Sequence, residues 1–121
     1  MLKVIALPSN NGSNTLTDFK SLLKSKHQFE YISEVDRIVS ALEKYGFQIN
    51  NEYKRESLKK LDSDLYEIRT KHIRIFLYFD GNNFFILLHG FIKKTQETPL
   101  KELKQAKEEV KRWKTLTKKY L

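Results

Sequence analysis

The chain has no cysteine in its 121 residues, which excludes a disulfide framework and a zinc site built from thiolates. It also lacks an apolar run of the roughly 20 residues that a membrane-spanning helix needs. The opening residues, MLKVIAL, do not follow the order of a signal peptide and predict a strand instead. We therefore expect a single domain, residues 1–121, that works in the cytoplasm without contacting a membrane.

Positive charge is in excess and unevenly distributed. The formal net charge is +8, and residues 1–53 contribute none of it, because their six basic and six acidic side chains balance. The excess is +4 in residues 54–94 and +4 in residues 95–121. This asymmetry indicates a polyanionic partner, with nucleic acid first. The alternative is a solvated basic surface that aids solubility, but basic residues that alternate with aromatics in the predicted strands favour nucleic acid.

The apolar pattern predicts one strand, two helices, a three-stranded meander and a last helix. The predicted bounds are a strand at Leu2–Leu7, helices from Thr15 or Thr17 to Ser25 and from Gln28 to Tyr45, strands within Asp64–Lys94, and a helix after Pro99. Between the second helix and the meander, Phe47–Leu61 is predicted to be a connection with a turn or a short extended piece. Gly46 is the predicted stop of the second helix. We expect an α+β domain with a small, mostly antiparallel sheet of about four strands. Two N-terminal helices cover one face, a C-terminal helix follows, and the other face is open.

The register of the meander follows from two predicted two-residue turns, at Lys71-His72 and at Gly81-Asn82. The first turn places Arg69 opposite Arg74. The second places Arg74 opposite His89, so that the three side chains form one row on one face. Two like charges opposite each other destabilise an antiparallel pair by up to about 1 kcal/mol. The pair therefore predicts a site for an anion.

The same register divides the meander into two faces. The face under the two helices is predicted to carry Tyr66, Ile68, Ile73, Ile75, Leu77, Phe79, Phe84, Ile86 and Leu88. The opposite face is predicted to carry Glu67, Arg69, Arg74, Phe76, Tyr78, Leu87, His89, Phe91 and Lys93. Phe76, Tyr78, Phe85 and Phe91 are candidate platforms for stacked bases. For Phe85 and Leu87 we expect a place in the core instead.

Several short motifs resemble a known family of toxins. They are Leu65-Tyr66-Glu67-Ile68-Arg69, Arg74 five residues on, His89-Gly90-Phe91-Ile92-Lys93-Lys94-Thr95 with Pro99, and Lys59-Lys60-Leu61. Together they resemble the RelE/ParE superfamily and are most similar to the HigB-type, phage-derived toxins of type II toxin–antitoxin modules. The resemblance covers nearly the whole chain and implies a RelE-like fold, a small antiparallel sheet with helices on one side.

The resemblance also implies an activity and partners. It implies a ribosome-dependent mRNA endonuclease that inhibits translation, acting on mRNA in the 70S ribosome. It further implies neutralisation by a cognate antitoxin, expected to be a helix-turn-helix protein, in a hetero-oligomeric complex. Two alternatives stay open. One branch of the superfamily poisons DNA gyrase, and a non-catalytic RNA-binding domain needs the same charge without a proton-transfer group.

The residues suit RNA cleavage by the substrate's own 2′-hydroxyl. Such a site must position the phosphate, stabilise its negative charge and move protons. Arg69 and Arg74 are the predicted phosphate clamp, and Lys93, His89 and Tyr78 are three candidates for proton transfer. No His, Asp and Glu cluster has metal-ligand spacing, so we expect a metal-free route without a cofactor.

Each of these assignments has a structural alternative. The arginines can pair with Glu67 and Asp80 or with the C-terminus of the last helix. His89 can be a packed, hydrogen-bonded histidine. Six further basic residues are predicted to contact the RNA backbone: Lys54, Arg55, Lys59, Lys60, Lys71 and Lys94. The alternative is that they lie in a solvated connection or loop.

Overall fold

A computed structural model describes residues 2–81 and 83–118. The strands are β1 (Lys3–Ala6), β2 (Leu58–Asp62), β3 (Leu65–Arg69), β4 (Ile73–Phe79) and β5 (Phe84–Ile92). The helices are α1 (Thr15–Ser25), α2 (Phe29–Tyr45), α3 (Ile49–Glu52) and α4 (Leu100–Lys118), with a 3₁₀ turn at Gly46–Gln48. Within the described residues, no helix combines the length and the apolar character needed to cross a membrane.

The strands form one sheet in the order β1-β5-β4-β3-β2. Only β1 runs parallel to its neighbour, β5, so the predicted α+β class with a mostly antiparallel sheet is confirmed. The sheet has five strands rather than about four, because β2 forms at the end of the segment predicted as a connection with a turn or a short extended piece. Two lysines separate Leu58 from Leu61, which breaks the period-2 pattern of a half-buried strand. Lysines of this kind are common on edge strands such as β2.

The helix ends follow local signals in the sequence. Asn14 caps α1, because its side-chain oxygen accepts a hydrogen bond of 2.8 Å from the backbone N–H of Thr17. Helix α2 ends at Gly46, which has φ +54° and donates its N–H to the carbonyl of Leu42. A positive φ of this kind is readily available to glycine. The predicted stop at Gly46 is therefore confirmed.

The sheet is covered on both faces. On one face, α1 and α2 bury Phe19, Leu23, Val35, Ile38 and Leu42 against Ile68, Ile73, Ile75, Leu77, Phe85 and Leu87. On the other face, Ala106 of α4, with Leu103, Val110 and Trp113, packs on Leu7, Phe76, Ile86 and Leu88. The expectation that this second face is open was wrong for the part around Phe76, Ile86 and Leu88, which the apolar residues of α4 cover. The helical spacing of the apolar residues after Pro99 also predicts Tyr120 on this side of the last helix, and Tyr120 lies outside the described residues.

The register between β3 and β4 is the predicted one. Arg69 pairs with Arg74, Ile68 pairs with Ile75, and the two strands run antiparallel from the turn at Lys71-His72. The two arginines therefore lie side by side on one face of the sheet, the face opposite α1 and α2.

The register between β4 and β5 was predicted wrongly. Phe79 pairs with Phe85, and the N–H of Asp80 donates to the carbonyl of Phe84. The loop thus spans three residues rather than two, with Asn83 at φ +66°. A shift of one residue moves every side chain to the other face. Phe85 and Leu87 consequently lie in the core under α1 and α2, whereas Phe84, Ile86 and Leu88 face α4.

A bulge in β5 partly reverses this shift. Leu77 pairs with Leu87 but Phe76 pairs with His89, so Leu88 is an extra residue on β5. His89 therefore shares a face with Arg74, as predicted, but it does not lie opposite Arg74. Phe91 takes that place. His89 is displaced by two residues along the strand, a distance of about 7 Å.

Candidate phosphate-binding groove

A groove of about 550 Å³ lies where the start of β4 and the end of β3 meet α2 and the segment before β2. Half of its fourteen lining residues carry positive charge, and two carry a carboxylate, Glu34 and Glu56. The cations are Arg37, Lys54, Arg55, Arg69, Lys71, Arg74 and Lys93. A concave surface with this excess of one sign concentrates ligands of the opposite charge.

One buried carboxylate lies between the paired arginines. Oε1 of Glu67 is 3.2 Å from Nε of Arg74 and 3.8 Å from Nε of Arg69. Oε2 of Glu67 accepts a hydrogen bond of 2.8 Å from the hydroxyl of Thr98. The structural alternative of pairing with Glu67 is therefore present in the fold. Because one carboxylate serves two guanidinium groups, the cluster keeps an excess of positive charge.

The second predicted acidic partner of the arginines is engaged with α4. Asp80 Oδ2 accepts a hydrogen bond of 2.8 Å from the indole N–H of Trp113. This contact fastens the β4–β5 loop to α4.

The two arginines differ in how firmly they are held. The side chain of Arg74 is 8% exposed, and its Nη1 donates to the carbonyls of Thr70 and Ile73 at 2.6 and 2.9 Å. Burial lowers the pKa of Arg74, the positive charge of Arg69 lowers it further, and Glu67 opposes both effects. An arginine remains protonated under these conditions. The side chain of Arg69 is 26% exposed, which makes it the more accessible of the two to a ligand.

A carboxylate on α2 holds the end of the β3–β4 hairpin. Glu34 Oε1 accepts hydrogen bonds from the hydroxyl of Thr70 at 2.6 Å and from the backbone N–H of His72 at 3.2 Å. Glu34 Oε2 lies 2.7 Å from Nδ1 of His72, whose ring stacks on Tyr31 at 4.6 Å. Burial acts to raise the pKa of Glu34, but the hydrogen bonds from Thr70 and His72 outweigh it and lower the pKa. Since Thr70 also accepts from Arg74, α2 helps to position that arginine.

The segment before β2 is fastened to the arginine strand. The N–H of Arg69 donates to the carbonyl of Ser57 at 2.7 Å. The hydroxyl of Ser57 donates to the carbonyl of Lys54 at 2.8 Å. Asn50 exchanges two hydrogen bonds of 2.8 Å with the backbone of Leu58. Residues 54–57 therefore have a fixed position beside Arg69, and they bring the predicted RNA-binding residues Lys54 and Arg55 to the groove.

Six of the eleven predicted site residues line this groove: Lys54, Arg55, Arg69, Lys71, Arg74 and Lys93. The other five do not. Lys59 and Lys60 are exposed on the edge strand β2. Lys94 lines a small neighbouring crevice with Glu67 and Arg74.

His89 and Tyr78 lie under α4 rather than in the groove. His89 is buried, its Nδ1 is hydrogen-bonded to Glu109 of α4, and its ring meets Phe76 edge-on at 5.2 Å. It lines a separate cavity of about 620 Å³ between α1, β5 and α4. The ring of Tyr78 lies 5.5 Å from the ammonium of Lys114. Phe76 is fully buried, so the expectation that it stacks on a base was wrong.

Eight of the fourteen groove residues were not predicted from the sequence, among them Glu34, Arg37, Tyr53 and Thr70. A signal existed for Tyr53, because it directly precedes Lys54 and Arg55 and so places an aromatic beside two cations. No local pattern marks Glu34 or Arg37, which reach the groove through the packing of α2 on the sheet. Among residues 2–81 and 83–118, no three His, Asp or Glu side chains are grouped so that they could hold a metal ion.

Fold and groove together define a class: a small basic α+β domain with a groove that contains a pair of arginines. Residues 25–111 match the family described as Phage derived protein Gp49-like (DUF891). The chain belongs to this family, which is known as a RelE-like, toxin-like type. The match runs from the last residue of α1 into α4 and includes every residue that lines the groove. No curated protein matches the chain.

Proposed function

We propose that the chain is the toxin of a type II toxin–antitoxin module of the HigB type and that its groove cleaves mRNA on the ribosome. The observation that carries this proposal is the pair Arg69 and Arg74 on adjacent strands, joined by Lys93 in one groove. Membership of a phage-derived, toxin-like family supports it. The proposed reaction places the protein in the cytoplasm with the 70S ribosome.

The proposed step is an in-line transfer at phosphorus. The 2′-hydroxyl oxygen forms a bond to the adjacent phosphorus, and the bond from phosphorus to the 5′-oxygen breaks. The products are a 2′,3′-cyclic phosphate and a 5′-hydroxyl, so the 2′-oxygen loses one proton to solvent water and the 5′-oxygen gains one from a general acid. Negative charge grows on the phosphoryl oxygens, where fixed cations lower the barrier.

The groove residues take different roles in this step. Arg69 is the accessible guanidinium and contacts the phosphoryl oxygens in a charge-assisted pair. Arg74 is held by two carbonyls and Glu67, so it contributes fixed positive charge and positions the cluster. Of the three predicted proton carriers, only Lys93 lines the groove. We therefore assign Lys93 as the donor of the proton to the leaving 5′-oxygen.

The partner that silences the toxin is expected from the family resemblance. A cognate antitoxin, expected to be a helix-turn-helix protein encoded beside the toxin, is proposed to bind the chain in a hetero-oligomeric complex. The excess of basic residues gives an acidic antitoxin segment an electrostatic advantage in approaching the groove.

Expression of the intact chain without an antitoxin tests the proposal. We expect translation and bacterial growth to stop, and Arg69→Ala or Lys93→Ala to restore both. Removing one such stabilising group costs about 10²–10³ in rate. Lys24→Ala, an exposed lysine in the last turn of α1, is the matched control and should remain toxic. Full toxicity of a folded Arg69→Ala/Lys93→Ala variant would reject the nuclease and favour the gyrase-directed alternative.

A further inference from the structure

We propose that Tyr53 is a stacking platform for an RNA base and that it holds the nucleotide next to the phosphate bound by Arg69. The inference rests on the proposed function, because it names a subsite of the same groove. Among the described residues that line the groove, Tyr53 is the one aromatic. It lies between cations, which is how single-stranded nucleic acid is bound, with bases on rings and phosphates on Lys or Arg.

The ring of Tyr53 is accessible and supported. The residue is 37% exposed, and Tyr45 of α2 lies 6.3 Å away with an angle of 25° between the two rings. The ammonium of Lys54 lies over the Tyr53 ring at 5.5 Å. An exposed contact of this kind strengthens an interaction about 2–5-fold, whereas a stacked base strengthens binding about 5–150-fold. A base therefore displaces Lys54, and the ammonium then pairs with a phosphate.

The platform and the arginine clamp keep a fixed relation to each other. The N–H of Tyr53 donates to the carbonyl of Ile49 at 3.0 Å, which joins the residue to α3. On the other side of the segment, the N–H of Arg69 donates to the carbonyl of Ser57 at 2.7 Å. Because both ends are held in the free protein, little conformational entropy is lost when a nucleotide binds.

Charge favours RNA over a protein segment as the occupant. The groove carries seven cations and two carboxylates, which suits a chain with one negative charge per nucleotide. The acidic side chains of a peptide satisfy the cations but offer no flat ring to place on Tyr53. An exposed tyrosine in this position is explained by a base.

The test compares two ligands that differ only in their bases. A fluorescent 2′-O-methyl RNA of about ten nucleotides cannot be cleaved through its 2′-oxygen, so the assay reports binding alone. Its partner carries abasic residues on the same backbone. We expect the parent chain to bind the base-bearing RNA about 5–150-fold more tightly than the abasic RNA, as measured by fluorescence anisotropy. This factor corresponds to the contribution of one stacked base.

Matched variants assign the preference to Tyr53. Tyr53→Ala should abolish the preference for bases while keeping the abasic affinity, and Tyr53→Trp should retain the preference. Phe29→Ala removes an aromatic that is 55% exposed and outside the groove, and it should behave as the parent. An unchanged urea midpoint of each variant shows that the fold is intact.

Three results would overturn the inference. The first two are a parent chain that binds both RNAs equally and a Tyr53→Ala variant that keeps the parent's preference. Tighter binding of a glutamate-rich peptide than of the RNA would overturn it in favour of a protein occupant. The proposed nuclease function can fail independently of the stacking site. If the chain never cleaves mRNA but shows the Tyr53-dependent preference for bases, the nuclease proposal is wrong and the stacking site is supported.

Discussion

Replacing Arg74 by alanine should lower the free energy of unfolding far more than replacing Arg69, although the two arginines lie side by side on the sheet. Arg74→Ala removes the contacts to Glu67 and to the carbonyl of Thr70, and it leaves a carboxylate whose side chain is 4% exposed. Removing one partner of a buried ion pair costs about 3–5 kcal/mol. Arg69 is more exposed and lies 3.8 Å from the same carboxylate, so its loss costs about 0–1 kcal/mol.

Urea unfolding, followed by circular dichroism, measures this difference. A slope of about 1–3 kcal/mol/M is typical of a small domain in urea. The midpoint of Arg74→Ala should therefore fall by about 1 M or more, whereas that of Arg69→Ala should stay close to the parent. Removing Arg69 also relieves the like-charge pair across β3 and β4, which limits its cost further.

The double variant Arg74→Ala/Glu67→Gln is the internal control. If the buried carboxylate causes the loss, neutralising it should recover part of the stability, and the two changes should not be additive. Equal midpoints for Arg69→Ala and Arg74→Ala, or strictly additive effects in the double variant, would refute the distinction between a held and an accessible arginine.

Three further changes test how the groove, helix α1 and helix α4 are held. Glu34→Gln should lose about 1–3 kcal/mol of stability at pH 7. Because the folded pKa of Glu34 lies below its unfolded value, this advantage of the parent is complete above the unfolded pKa and should vanish in unfolding curves as pH falls through the folded pKa. Gly90→Ala should lose about 1–3 kcal/mol in urea unfolding, because a Cβ there lies 2.5 Å from the ring of Phe19. His89→Gln should weaken the hydrogen bond to Glu109 and lower stability by about 1–3 kcal/mol, while the folded variant keeps its cleavage rate. A stable His89→Gln variant without activity would return the proton-transfer role to histidine.

The part of the fold that was predictable depends on local patterns. Helix ends at Asn14 and Gly46 and the two-residue turn at Lys71-His72 are set by residues close in sequence, so the pairing of Arg69 with Arg74 could be derived. The β4–β5 pairing could not be derived, because a glycine-asparagine pair is typical of a two-residue turn. The chain instead uses a three-residue loop and a bulge, and each moves the register by one residue.

The difference between local patterns and tertiary packing also explains which groove residues could be predicted from the sequence. Cations on neighbouring strands could be assigned from period 2, and Arg69, Arg74 and Lys93 do line one groove. Glu34 and Arg37 reach that groove from α2, more than thirty residues before Arg69, and only tertiary packing brings them there. The predicted position of His89 was wrong, because the alternation of apolar and polar residues along β5 reveals neither the bulge in this strand nor the contact of His89 with Glu109 of α4.

The chemistry at the cut ends of mRNA tests the central proposal most directly. Purified chain is mixed with 70S ribosomes programmed with a defined mRNA, and the fragments are analysed by mass spectrometry. The proposal predicts a 2′,3′-cyclic phosphate on the 5′ fragment and cleavage that persists in excess EDTA once ribosome integrity is controlled for. It also predicts that Arg69→Ala and Lys93→Ala slow cleavage by about 10²–10³. A 3′-hydroxyl at the cut, or strict dependence on divalent ion beyond what the ribosome needs, would contradict it.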